Sequence, residues 1–119
     1  MAHILIVEDE DSVREFLIRA LGHRGHEVTA VANGSAALEA LQKASFDLLL
    51  TDIVMPELDG VSLALKVSKD FPDLRIVMMT GYASERQRAY DLDTLVHEVV
   101  DKPFTLEQIC AVVDAALTT

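Results

Sequence analysis

Cysteine, positive charge and long apolar runs are all scarce in this sequence, and each scarcity excludes something. One cysteine in 119 residues, Cys110, rules out an internal disulfide and a cysteine-based zinc site, and it fits a reducing cytosol. Ten basic side chains stand against twenty acidic ones, a formal charge of −10. No basic stripe exists to neutralise phosphates, so no nucleic-acid partner is expected. No apolar run approaches the roughly 18–20 residues that span a bilayer. The opening MAHILIVEDE carries acids at once and lacks a cleavage site, so it is not a signal peptide. No membrane partner and a cytoplasmic location follow as expectations. Low-complexity stretches, linker-type charge blocks and internal repeats are also missing, which leaves one domain over residues 1–119. What is present is apolar character: it makes up 50% of the chain, enough for a real core and too much for disorder.

Short β-branched runs alternate with segments of helical period. His3–Val7 (HILIV) reads as the first strand. A helix follows through Val13, Phe16, Leu17, Ala20 and Leu21, stopping at Gly22 or Gly25. Glu27–Val31 is a second strand, Asn33-Gly34 a turn, and Ser35–Lys43 a second helix with Ala37, Leu38 and Leu41 on one face. Phe46–Thr51 is a third strand and Val61–Asp70 a third helix. Arg75–Thr80 and His97–Asp101 are the fourth and fifth strands. Ser84–Leu95 is polar with a weak period and reads as a short helix. Thr105–Leu117 closes the chain, with Thr105 and Gln108 spaced as a capping box. Five strand–helix repeats call for an α/β fold, a parallel sheet covered on both faces. Ligands in such open sheets bind beyond the carboxyl ends of the strands, where strand order reverses.

Chemistry gathers at those ends. The first strand runs into Glu8-Asp9, the third into Asp52, the fourth into Thr80 and the fifth into Lys102. Parallel strands bring all five side chains to one edge. Three converging carboxylates repel and demand a cation. Lys102 is one answer; a divalent metal held by oxygen alone is the other, and such a donor set suits Mg²⁺. A carboxylate between metal and ammonium can attack phosphorus to give an aspartyl phosphate. Asp52, on a central strand between the other groups, is the best nucleophile, with Glu8 and Asp9 holding the metal directly or through water. The Thr80 hydroxyl can bond to a phosphoryl oxygen.

The strings ILIVEDE, LLLTDIVMPELDG, MMTGYA and DKPF, in this order and spacing, resemble the receiver domains of two-component response regulators. The resemblance covers essentially the whole chain. It implies a CheY-like, flavodoxin-like (βα)5 fold, doubly wound, with strand order 2-1-3-4-5. It implies Asp52 as phosphoacceptor, Glu8 and Asp9 as the metal-binding pair and the Val54 carbonyl as a third metal contact. Thr80 then matches the switch hydroxyl and Lys102 the lysine before a proline, joined to Pro103 by a cis bond. The implied partners are a histidine kinase or a histidine phosphotransfer protein, with the signal spreading over the face made by the 84–95 segment, the fifth strand and the last helix. Among family members, the sequence is similar to stand-alone receivers of alphaproteobacteria, of the CpdR type. In those, phosphorylation governs delivery of substrates to an ATP-dependent protease, which makes its unfoldase an expected downstream partner. The absence of an output domain would leave protein–protein binding or onward phosphotransfer as the output.

The sequence departs from the family pattern in two places. An aromatic residue often lies three positions before the lysine, and here Val99 stands there, so a threonine–aromatic coupling is not expected. Glu8 replaces the commoner Asp. Val54 and Tyr82, each two positions past a site residue, form a bulky apolar pair that hinders an attacking water and predicts a long-lived phosphoryl group. Asp59-Gly60 reads as a turn pair without chemistry. His3, His23, His26 and His97 have no metal spacing, and Cys110, Tyr82 and Phe104 read as packing groups. A Mg²⁺-dependent phosphohydrolase with an aspartate nucleophile is the alternative, but it needs a second acid where Val54 stands. A nucleotide-binding enzyme would need a glycine-rich phosphate loop after the first strand, and none is there. The receiver segment of a hybrid histidine kinase is a third reading.

Overall fold

A computed structural model describes residues 2–55, 57–81 and 96–118. The helix expected over 84–95 lies outside the described residues, as do Tyr82, Pro56 and the two chain ends. The strands are β1 (His3–Val7), β2 (Glu27–Val31), β3 (Leu48–Asp52), β4 (Arg75–Thr80) and β5 (Glu98–Asp101). The described helices are α1 (Asp11–His23), α2 (Gly34–Lys43), α3 (Gly60–Asp70) and, after β5, α4 (Leu106–Leu117). All strand pairings are parallel, in the order β2-β1-β3-β4-β5.

The period of two along each strand divides the core into two layers. Leu5, Val7, Leu49, Ile76 and Met78 face one way and pack with Ala37 and Leu41 of α2 and Leu63, Ala64 and Val67 of α3. Ile4, Ile6, Leu48, Leu50, Val77 and Met79 face the other way, against Leu17, Ala20 and Leu21 of α1 and Ile109, Cys110 and Val113 of α4. With apolar residues required on both sides, β1 and β3 read as continuous apolar runs rather than alternating ones. The chain leaves β1 toward β2, then crosses back to β3, so strand order reverses between β1 and β3. A crevice at their carboxyl ends is the consequence.

Local chemistry sets the ends of the elements. Gly25, at φ 86°, turns the chain out of α1, so the stop falls there and not at Gly22, which lies within the helix. Asn33 is an N-cap rather than a turn residue: its side chain accepts from the Ala36 amide at 2.8 Å. Thr105 caps α4 through the expected capping box with Gln108. β3 begins two residues later than the apolar run suggests. The Phe46 ring lies 4.1 Å from the His3 ring, and the Asp47 carboxylate accepts from the His3 amide at 2.8 Å, so both serve the approach to the strand. His3 also reaches the Ser45 carbonyl at 2.9 Å, and the Ile76 amide donates to His97 Nδ1 at 3.4 Å. His3 Nε2 further contacts the Thr29 hydroxyl at 3.0 Å, so this histidine bonds to a side chain as well as to backbone. Cys110 is buried in the core.

Candidate functional site at the carboxyl edge of the sheet

Each strand delivers its side chain in a defined way. Glu8 follows β1 and is held against β2 by its amide, which donates to the Val31 carbonyl at 3.1 Å. Asp52 is the last residue of β3, and its Oδ1 accepts from the Ile53 amide at 3.0 Å. Thr80 ends β4, is buried, and accepts through its carbonyl from the Lys102 amide at 2.8 Å, which fixes where the β5 end delivers the lysine. The Lys102–Pro103 bond is cis.

The side chains then converge. The Lys102 ammonium donates to Glu8 Oε1 at 2.7 Å and to Asp52 Oδ2 at 3.2 Å. Glu8 is fully buried, and its second oxygen accepts from the Glu10 amide at 3.2 Å. Carboxylate oxygens of Glu8, Asp9 and Asp52 lie within 4.8 Å of one another, with Asp9 on the solvent side. Val54 lies two residues past Asp52 with its side chain half-exposed. All the predicted acids and Lys102 therefore meet at one edge, with Val54 in the segment that leaves Asp52 and Thr80 at the end of the neighbouring strand β4.

Burial pushes the Glu8 carboxyl up from the ordinary range, against the pull of Lys102, with the nearby Asp52 charge adding to the rise. Burial likewise raises Asp52, and the Lys102 charge opposes it. For Lys102 burial acts to lower the value, but bonding to Glu8 and the charges of Asp52 and Glu8 outweigh it, so the ammonium is favoured. With all groups ionised the cluster carries a formal excess of two negative charges. That deficit, an all-oxygen donor set and one open side fit a hard divalent cation.

Three contributors had weak or no sequence signal. The Arg14 guanidinium donates to the Glu8 carbonyl at 3.0 Å, holding the turn after β1. The Glu10 amide binds the Glu8 carboxylate. Gly60, read as half of a turn pair, is where α3 meets the end of β3: its amide donates to the Ile53 carbonyl at 2.7 Å, and an added Cβ would lie 2.2 Å from the Asp52 carbonyl oxygen. Only the Asp-Gly pair hinted at this. Asp59 caps α3 through the Ser62 amide at 2.8 Å.

Residues 4–114 match the family described as response regulator receiver domain. The chain belongs to the response-regulator receiver family. It is 42% identical over 109 residues to the response regulator receiver protein CpdR of Brucella abortus, covering 92% of this chain and 91% of that protein. It is 36% identical over 118 residues to the sensor kinase CckA of the same organism, covering 98% of this chain but 12% of the kinase. A solved response regulator, TrrA of Thermotoga maritima in complex with Mg²⁺ and BeF, superposes with a TM-score of 0.87 at 30% identity, over 98% of this chain and 99% of that one. This receiver is thus a phosphorylation-dependent signalling switch of two-component systems, which work with histidine kinases and phosphotransfer proteins, and not a classical enzyme. Among the described residues, no helix is long and apolar enough to cross a membrane.

Proposed function

We propose that Asp52 accepts the phosphoryl group, and that Glu8, Asp9, Asp52 and the Val54 carbonyl serve a Mg²⁺ ion, Glu8 directly or through water. The observation that carries this reading is the Lys102 ammonium lodged between Glu8 and Asp52 at the strand edge, with Asp9 open beside them. A carboxylate oxygen of Asp52 attacks phosphorus of a phosphohistidine as the phosphorus–nitrogen bond breaks and the imidazole leaves. Lys102 holds charge on the phosphoryl oxygens as it passes across, and the Thr80 hydroxyl binds one of them afterwards. Mg²⁺, when bound, supplies Lewis-acid stabilisation of those same oxygens. In this sense the receiver promotes its own phosphorylation and the later hydrolysis.

An apolar groove of about 450 Å³ lined by Val13, Phe16, Pro103 and Phe104, and also by Lys102, whose ammonium contacts Asp52, supports docking of the phosphodonor there. Phe16 and Phe104 lie 6.2 Å apart across it. Output is by protein–protein contact. The match over 91% of CpdR supports a single receiver domain over residues 1–119. An ATP-dependent protease unfoldase is the downstream partner that the resemblance to CpdR-type receivers implies. The match to CckA supports a second reading, the receiver portion of a hybrid kinase. The length of the native reading frame separates the two.

Incubation with acetyl phosphate and Mg²⁺, followed by intact mass, tests the central reading. Wild type should gain the mass of one phosphoryl group, while Asp52→Ala and wild type in excess EDTA should not. No gain in wild type, under conditions that load an established receiver, would defeat it.

A further inference from the structure

Asp9 is the least constrained of the three acids. It stands on the solvent side, and among the described residues no hydrogen bond or ion pair holds its carboxylate. Glu8 and Asp52 are both buried and both bonded to Lys102. The aim of the Asp9 side chain therefore comes from its backbone, and one residue brackets that backbone. The Arg14 guanidinium donates to the Glu8 carbonyl at 3.0 Å, and the Arg14 amide donates to the Glu10 carbonyl at 3.0 Å. Asp9 lies between the two anchored carbonyls. The other arm of the guanidinium reaches the Asp11 carboxylate, and the Arg14 side chain is largely buried.

This end of α1 differs from the starts of the other described helices. Asn33, Asp59 and Thr105 cap α2, α3 and α4 through their side chains. The N-cap of α1, Glu10, makes no such bond, and its carboxylate accepts from the Ser12 hydroxyl at 3.2 Å instead. The turn from β1 into α1 is closed from within the helix, by the guanidinium.

We propose that Arg14 is a positioning residue that aims the Asp9 carboxylate at the divalent cation. The Glu8 carbonyl belongs to the planar Glu8–Asp9 peptide, so holding its oxygen fixes the plane from which the Asp9 side chain departs. Two partners at set angles suit a planar guanidinium, whereas an ammonium on a flexible stem is a point charge without that fork. The bond to Asp11 keeps the guanidinium from turning toward Asp9 and offsets its charge. The sign of the effect separates this role from plain electrostatics. Arg14 is a cation on the turn that carries Asp9, so by repulsion alone its removal would tighten divalent binding. Loss of the aim of Asp9 weakens it.

The inference rests on Mg²⁺ binding at this edge, the metal part of the functional reading, and not on which acid takes the phosphoryl group. Mg²⁺ dissociation constants are measured from amide ¹H–¹⁵N shifts of wild type, Arg14→Met, Arg14→Lys, Asp9→Asn and the Arg14→Met/Asp9→Asn double variant. Arg19→Met, at an exposed position of the same helix, controls for loss of charge. Amide shifts away from the turn show that each variant is folded. Arg14→Met and Arg14→Lys should each bind Mg²⁺ about tenfold more weakly, the loss expected when a group that orients a metal ligand is removed. Arg19→Met should match wild type. In the Asp9→Asn background Arg14→Met should cost nothing further, because no carboxylate is left to aim. Loading of Arg14→Met by acetyl phosphate should need about tenfold more Mg²⁺ and recover once Mg²⁺ saturates. An unchanged or tighter dissociation constant in Arg14→Met, or the same loss with and without the Asp9 carboxylate, overturns the proposal. Wild type that binds Mg²⁺ without loading would defeat the acceptor reading and leave the Arg14 result standing. Wild type that binds no Mg²⁺ would overturn both.

Discussion

Buried carboxylates are costly to ionise, and the site holds two of them around one ammonium. The raised values of Glu8 and Asp52 mean that the folded protein binds their protons more tightly than the unfolded chain does. Their favourable contribution is complete below the ordinary carboxylate range and is lost as pH rises through the raised folded values. Lys102 is raised too, so its contribution persists through neutral pH and fades only as pH climbs through its own folded value. At neutral pH without metal, two negative groups therefore share one positive partner. Asp52→Asn leaves a one-to-one Glu8–Lys102 pair. It should be more stable than wild type in EDTA at pH 7 by on the order of 1 kcal/mol, and the advantage should vanish near pH ~4. Urea unfolding at the two pH values checks this; equal stability at both would contradict it. Val54, half-exposed two residues past Asp52, bears on hydrolysis of the aspartyl phosphate by water. The aspartyl phosphate should last minutes or longer, and Val54→Asn should shorten it. A wild-type half-life of seconds would count against that role.

At the scale of elements, α2, α3 and α4 are fixed by side-chain caps and the site loop by a close approach. Gly60 lets α3 start directly against the end of β3. Gly60→Ala forces a methyl group to within 2.2 Å of the Asp52 carbonyl oxygen. Some backbone shift must follow, costing about 2 kcal/mol, and Asp52 loading should slow with it. Thr105→Ala removes the cap of α4 and leaves the Gly60 contact intact, at about 1 kcal/mol, with loading unchanged. Thermal denaturation and intact-mass kinetics on the pair distinguish a site effect from a general loss of stability. The spans of β1, β2 and β4 are legible residue for residue because each is a β-branched run bounded by polar or turn residues. The start of β3 is not, since Phe46 looks like strand but packs against the His3 ring instead. Asn33 looks like a turn until Ala36 is seen to need an acceptor. The place of Gly60 is a tertiary fact: no local pattern announces a backbone 8 residues back in the chain.

Across the whole molecule, an excess of acid on the outside gives way at one sheet edge to a compact acidic group with its own counter-ion. The convergence was legible, because parallel strands must bring their ends together. The pairing was not: Glu8 and Lys102 lie 94 residues apart, and only the packed fold shows that the lysine reaches the first strand as well as the third. Metal binding to this edge should stabilise the fold as a whole. Saturation at a hundredfold over the dissociation constant adds about 2.7 kcal/mol, so the midpoint of thermal unfolding should climb with Mg²⁺ in wild type. It should climb far less in Asp9→Asn, and an equal rise in both would remove Asp9 from the site.

The most direct test places the phosphoryl group on a residue. Wild type loaded with acetyl phosphate and Mg²⁺ is reduced with borohydride, which converts an aspartyl phosphate to homoserine, and the reduced residue is located by peptide mass spectrometry. The account predicts a single conversion, at Asp52, that disappears when loading is done in EDTA. Conversion at Asp9 or another acid, or phosphoryl mass with no reducible aspartate, would contradict it.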